Sequence, residues 1–222
     1  MAGKRPYSQH TEDGKVIQYT TLKVRPYPNE AQAELFEKTF GCCRYIWNRM
    51  LADQQRFYLE TDKHFIPTPA KYKKEAPFLK EVDNQALIQE HNKLSQAFRV
   101  FFKSPKHFGC PNYKKKKTDR DSFTACNHVF ESGPTIYATQ DGIRMTKAGI
   151  VRARFSRRPQ AWWKLRRVTV EKTKSGKYYC YILYEYEVKA PEPVIPTPET
   201  TIGLKYSMPR FYVTDDGNMA DP

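Results

Sequence analysis

Residues 15–25, KVIQYTTLKVR, alternate in character, and Val16, Leu22 and Val24 fall where a strand would bury them. The period changes in PYPNEAQAELF. Asn29 is placed as an N-cap, and Gln32, at the third helical position, completes a capping-box pattern. Leu35, Phe36, Phe40, Cys43, Ile46, Trp47, Met50, Leu51, Phe57 and Tyr58 then recur at helical spacing. They predict one long amphipathic helix to about residue 59. Thr68-Pro69 opens a second, short helix with proline at its first position, and Pro77 ends it. Asp83 can cap a third, with Leu87, Ile88, His91, Leu94, Phe98, Phe101 and Phe102 on one face. Residues 27–104 are thus expected to form a compact helical unit.

From about residue 122 the pattern is that of strands. TIYATQDGIRMT reads as two strands about a Gln-Asp-Gly turn. GIVRARF sets Val151, Ala153 and Phe155 on an apolar face and Arg152 and Arg154 on a basic one. RRVTVEKTKSGKYYCYILYEYEV is a long hairpin turning at Ser175-Gly176. Short strands at this spacing predict a small barrel, which strand 15–25 joins, leaving the helices as an insertion. Residues 189–199, with four prolines, form a semi-rigid linker and domain boundary. In the segment that follows, TTIGLKYSMPRFYVTDDGNMADP, two strands are expected at Thr201–Leu204 and Phe211–Val213. Asp215 and Asp216 are read as turn residues rather than metal ligands. Residues 1–14 are polar and expected to be loose. The fold class is therefore α+β, divided at 1–26, 27–119, 120–188, 189–199 and 200–222.

Charge adds a partner to this outline. The 222-residue chain carries a net charge of +14. Residues 103–177 hold 19 Lys and Arg against 5 Asp and Glu, so the remainder is balanced. So local an excess points to a polyanion, most often nucleic acid. The candidate phosphate contacts are Lys103, Lys106, Lys114, Lys115, Lys116, Lys117, Arg120, Arg152, Arg154, Arg157, Arg158, Lys164, Arg166 and Arg167. The alternative for the lysine run in YKKKKTDR is a solvated loop. Trp162 and Trp163, set between RRPQ and KLRR, are candidate stacking platforms for exposed bases, or else core residues.

Other chemistries find little support. The five cysteines include no C-x-x-C pair, so neither a disulfide framework nor a zinc site is indicated. His64, His91, His107 and His128 are scattered and read as core or surface residues. No Ser/His/Asp pattern or glycine-rich phosphate loop is present. No signal-peptide core or run of 18 apolar residues appears, and a soluble protein of a reducing, cytosol-like compartment is expected.

Three stretches carry a family resemblance: LKVRPYPNEAQAELFEKTFGCCRYIWNRMLADQQRFY, TPAKYKKEAPFLKEVDNQAL and TIGLKYSMPRFYVTDDG. In this order they resemble TnpB, the RNA-guided nucleases of bacterial insertion sequences, which are similar to the ancestors of type V CRISPR effectors. The resemblance covers about residues 20–222. It implies an OB-like wedge β-barrel (15–26 and 120–188), a helical recognition insertion (27–119) and, after the linker, a truncated RuvC-like hairpin. It implies as partners a guide RNA and a double-stranded target DNA, with no membrane, in a bacterial cytoplasm and at the nucleoid when bound. A short DNA motif beside the target would be read by Tyr45, Asn48, Arg49, Asn84, Gln85, Thr124 and Asn127. Amide side chains suit adenine edges in the major groove; the alternative is that Tyr45 and Asn48 only pack or cap.

The sequence departs from the family pattern at its chemistry. The first catalytic aspartate of the family falls where Lys205 stands, the later carboxylates would lie beyond Pro222, and the family's C-x-x-C element is missing from this sequence. The expectation is therefore no catalytic residue and no metal cofactor: a nuclease-dead, guide-dependent binder that represses transcription. The alternatives are a fragment or altered form of a TnpB endonuclease, and a non-guided nucleic-acid-binding remnant.

Overall fold

A computed structural model describes residues 9–10, 14–118, 120–190, 197, 200–206, 212–214 and 219–220. The opening alternation is β2 (Lys15–Pro26), paired with the two-residue β1 (Gln9–His10). The capping box forms as expected: the Asn29 side chain accepts from the Gln32 N–H at 2.9 Å, and the Gln32 side chain from the Asn29 N–H at 3.1 Å. It starts α1 (Glu30–Thr61), which ends on Asp62 in the left-handed region. The expected short helix is two 3₁₀ turns, Pro69–Lys73 and Pro77–Lys80. Pro77 opens the second turn rather than ending a helix, because its fixed φ and missing N–H suit a first helical position. Asp83 caps α2 (Asn84–Lys103) by accepting from the Gln85 N–H.

The second half is β3 (Asp121–Cys126), β4 (Val129–Phe130), β5 (Gly133–Pro134), β6 (Tyr137–Ala138), β7 (Gly142–Met145), β8 (Gly149–Arg154), β9 (Lys164–Lys172) and β10 (Tyr178–Lys189). An antiparallel sheet runs β3-β9-β10-β2-β8-β7-β6. β2 sits inside it, between β10 and β8, so the helices are inserted between two strands of one sheet, β2 and β3, which β9 and β10 separate.

The expected closed barrel is not found. Among the described residues no ladder joins β3 to β6, the two ends of the path. β6 has only two residues to offer, and side-chain bonds span the gap instead. The Asn127 carbonyl accepts from the Ile136 N–H and the Thr135 hydroxyl, while its amide donates to Leu165 O. One apolar cluster nevertheless joins Phe123 of β3 to Ile143 of β7 and to Phe36 and Phe40 of α1. A second cluster, with Ile46, Met50, Leu51, Tyr72, Leu79 and Leu94, lies within the helical unit.

A separate small sheet holds β11 (Leu204–Tyr206), β12 (Tyr212–Thr214) and β13 (Met219–Ala220). Its first strand starts at Leu204 rather than Thr201, since Gly203 lacks a side chain to pack and weakens a strand. Phe211, the Asp215-Asp216-Gly turn, residues 1–8 and most of the proline-rich linker lie outside the described residues.

Gly142 is required by space. A Cβ there would lie 2.0 Å from the Val151 carbonyl oxygen, where β7 meets β8. Because the obstacle is backbone, Gly142→Ala is expected to destabilise the fold by about 3 kcal/mol, the upper end for overpacking. Urea unfolding of the two proteins measures this, and an unchanged midpoint would contradict the close approach.

Candidate nucleic-acid interface

The lysine run is bolted to the helices at its first member. Trp47 Nε1 donates to Asn112 O at 2.9 Å, and the Tyr113 hydroxyl donates to Gln55 at 2.7 Å. The Asn48 amide holds the Lys114 backbone from both sides, accepting from its N–H at 2.8 Å and donating to its carbonyl at 3.0 Å. Lys114 Nζ reaches Glu90 and lies 4.2 Å from the centre of the Trp47 ring. Glu90, on α2, is fully buried and also takes Lys93 at 2.7 Å. A buried carboxylate needs a cation, and Lys114 is drawn inward to supply it. Lys114 and Asn48, expected at phosphate and base, are thus engaged within the fold. Lys115, Lys116 and Lys117 follow this anchor with exposed side chains, as does Arg120. Lys103 and Lys106 are exposed at and just after the end of α2.

The cations of the sheet divide in the same way. Arg152 and Arg154 stand exposed on the face of β8 opposite buried Val151. Arg158 instead donates to the carbonyls of Thr139 and Gln140, at 3.1 and 2.7 Å, and buttresses the β6–β7 turn. Arg157 lies over Trp163 at 5.3 Å. Arg166 pairs with Glu185 at 3.4 Å and Lys164 with Glu187 at 4.0 Å. Surface pairs of this kind are weak and exchangeable for a phosphate. Arg167 is exposed. Trp163 is turned inward: it packs on the sheet core and stacks on Tyr186 at 5.1 Å. Trp162 is 56% exposed and meets Tyr186 edge-on, so it alone of the pair offers a ring to solvent.

The expected motif readers also separate. The Thr124 hydroxyl is buried against that of Thr169 at 2.9 Å, and the Asn127 amide is used up across the sheet gap. Both are engaged within the fold. Tyr45 sits edge-on to Phe78 at 5.2 Å, Arg49 pairs with Glu75 at 3.0 Å, and Asn84 accepts from Lys73 at 2.6 Å. These three therefore gather around the 3₁₀ turns, and half-exposed Gln85 follows Asn84 on α2.

Sequence reasoning missed Lys23, Arg25, Tyr27, Tyr179 and Tyr181. Lys23 lies 4.4 Å from the centre of the Tyr179 ring, and the Arg25 guanidinium 5.2 Å from Tyr179 and 5.6 Å from Tyr27. The signal was the alternation that buries Leu22, Val24, Cys180 and Ile182, because it turns these residues to the opposite face. Among the described residues no three His, Cys, Asp or Glu side chains gather to hold a metal ion, and no helix is long and apolar enough to cross a membrane.

Buried Asp53 on α1 fixes the first 3₁₀ turn. It accepts from Lys71 at 2.7 Å, the Tyr72 hydroxyl at 2.9 Å and Arg56 at 3.0 Å. Burial alone would raise its carboxyl, but the bonds from Lys71 and Tyr72 and the charges of Lys71 and Arg56 outweigh it and hold the group below the usual aspartate range. A depressed folded value gives stability that is full above the unfolded aspartate pKa, about 3.9, and is lost as pH falls through the folded value. Asp53→Asn is expected to destabilise at pH 7, with the gap from wild type closing below about pH 4. Glu90→Gln leaves Lys93 and Lys114 without their counter-charge and is expected to be destabilising by about 3 kcal/mol. That is the low end for a broken buried pair, because both lysines keep water contact. Urea titrations at both pH values check the two expectations.

Comparison with known proteins matches residues 19–63 to the family described as a helix-turn-helix domain, HTH_OrfB_IS605. In the structure this span is the rest of β2 and the whole of α1, one continuous helix. A Streptomyces pristinaespiralis protein named as an RNA-guided DNA endonuclease is 27% identical over 193 residues, 82% of this chain and 44% of its own length. The Escherichia coli (strain K12) protein named as RNA-guided DNA endonuclease InsQ is 28% identical over 217 residues, 94% of this chain and 50% of its own. The chain thus spans about half the length of the curated relatives it matches. The strand-to-long-helix frame of residues 19–63 matches that domain family, and the similarity to the two named endonucleases runs on through the sheet.

Proposed function

We propose that this protein binds a guide RNA and, with it, a target DNA duplex beside a short flanking motif, and that it holds the duplex without cutting it and so represses transcription from the bacterial cytoplasm. The observation that carries the second half is Lys205. By the resemblance, it stands where the family has its first metal-binding aspartate. RuvC-type hydrolysis needs carboxylates around two divalent ions about 4 Å apart. A lysine turns the local charge from −1 to +1. Two unit charges 4 Å apart interact by about 4 kcal/mol at a near-surface effective dielectric, so attraction for a divalent ion becomes repulsion of comparable size. Lys205 is exposed on β11 and pairs in register with Val213 of β12.

The binding half rests on the exposed cations. Lys103, Lys106, Lys115, Lys116, Lys117, Arg120, Arg152, Arg154, Arg157 and Arg167 meet phosphates, and Trp162 stacks on a base. Tyr45, Arg49, Asn84 and Gln85 face the flanking motif. Guide pairing reads the target, so the protein need recognise only backbone shape and the short motif. Binding needs the guide RNA and no metal of the protein's own. A second reading is an altered or partial RNA-guided endonuclease; the names of the relatives favour it, and the charge of Lys205 opposes it.

Two measurements separate the readings. Sequencing of RNA that co-purifies with the protein is expected to return one discrete enriched species; bulk RNA alone would leave a non-guided binder. Incubation of the purified complex with matched duplex and Mg²⁺ is expected to give no cleavage, and cutting would establish the second reading. Arg167→Ala is expected to weaken binding of all sequences alike and to lower the slope of log affinity against log salt by about 1.

A further inference from the structure

On one solvent-facing surface, only Arg152 and Arg154 were assigned a role above. Arg25 and Arg154 are directly paired across β2 and β8, so both project from the same face. Arg152 lies two residues along β8 and shares that face, as Lys23 does along β2. Like charges placed opposite one another are destabilising, and an anion seated between them would relieve that repulsion. Aromatic rings are set among the cations, at the distances already given for Tyr27 and Tyr179. Tyr27 is 50% exposed, and its N–H is held by the Arg152 carbonyl at 2.7 Å, which fixes the ring at the end of β2. Beside it opens a groove of about 560 Å³, lined by Tyr27, Arg152, Arg154 and the Gln140-Asp141 turn. Arg25 is not fully satisfied: one of its nitrogens donates to the Tyr179 hydroxyl at 3.4 Å, while its buried Nε–H has no acceptor.

We infer that this face is a binding site for an unpaired stretch of RNA, with bases stacked on Tyr27 and Tyr179 and phosphates on Arg25, Arg152 and Arg154. The chemistry selects a single strand. In a duplex the base faces are covered, and rings set among cations on a sheet would meet only backbone; in an unpaired strand each base offers a face and each nucleotide a charge. The groove has the volume to take one base out of the stack, and the Gln140-Asp141 turn lies within reach of its edge. That the strand is RNA rests on the guide-binding reading above; that it is single-stranded rests on the geometry alone.

The test uses the whole chain and a labelled, unstructured single-stranded RNA of about 12 nucleotides, within the usual site size for such surfaces. Fluorescence anisotropy compares it with single-stranded DNA and a DNA duplex of the same sequence. Tyr27→Ala and Tyr179→Ala are each expected to weaken RNA single-strand binding about tenfold, the loss typical of one stacked base. Duplex binding should stay within about twofold, and the salt slope should not change, because no charge is removed. Tyr27→Phe keeps the ring and is expected to restore binding. Unchanged single-strand affinity in both alanine variants, or equal loss for duplex and single strand, overturns the site. Tighter binding of single-stranded DNA than of RNA overturns the RNA assignment. If oligonucleotide binding behaves as expected while no discrete RNA co-purifies, the guide reading fails and this surface stands.

Discussion

The whole arrangement depends on one helix serving two cores. Along α1, Phe36, Phe40 and Cys43 point into the sheet cluster, while Cys42, Ile46, Trp47, Met50 and Leu51 point into the helical one. The change of core falls between adjacent residues, Cys42 and Cys43. α2 does the same at Ala86 and Leu87. The residues at this junction are small, so the two helices approach closely there, with Cys43 Sγ 3.8 Å from Ala86 O. Burial pushes the Cys42 thiol up to about 11 and the Cys180 thiol to about 12, as inert packing groups require. A rotation of α1 that improved one core would spoil the other. Its roll is further fixed by polar struts to the sheet: Gln32 to the Ala148 and Ile150 carbonyls, Glu37 to Lys172 and Tyr178, and Arg44 to Asp121.

That fixed roll decides which cations are available. Lys114 is taken by Glu90, Arg158 by two turn carbonyls, Lys172 by Glu37 and Arg44 by Asp121. These charges hold elements together and are not offered to a ligand. Because they do so, the neighbouring ones are presented on stiff supports: Lys115–Lys117 beyond a clamped backbone, and Arg152 and Arg154 on a strand paired along its length. A phosphate meeting such groups orders little that is still free to move, which favours affinity.

The elements were legible in the sequence where the signal was local. The Asn29–Gln32 box, the Asp83 cap and the Ser175-Gly176 turn each lie within a few residues and were read correctly, as was β2 from its alternation. That β2 joins the sheet of the second half, with the helices as an insertion, followed from pattern and order; its pairing with β10 came from the structure. The site was less legible. Asn48 and Asn127 resemble base readers because an amide can do either job, and their actual partners are mostly backbone N–H and carbonyl groups brought in by the fold, in one case from 66 residues away. The lysine run looked uniform, but Lys114 is drawn in to the buried carboxylate of Glu90. The cation–aromatic face of β2, β8 and β10 was overlooked for the opposite reason. Its members are spread thinly along the chain and become neighbours only through the register that sets Tyr181 beside Lys23.

Binding and cutting a nucleic acid ask opposite things of the local field. A surface that collects phosphates must be positive, and this chain concentrates its excess charge in one third of its length. A site that activates water on divalent ions must be negative at short range, against that same background, and only clustered carboxylates achieve it. A nuclease built on such a scaffold therefore needs its acidic residues to overcome the attraction it has arranged for its substrate. Substituting lysine at one of those positions removes a negative charge and adds a positive one. The same substitution leaves phosphate binding undisturbed and can add to it. Loss of chemistry with retention of grip is thus an easy step for this architecture, and the reading proposed for Lys205 is a step of that kind.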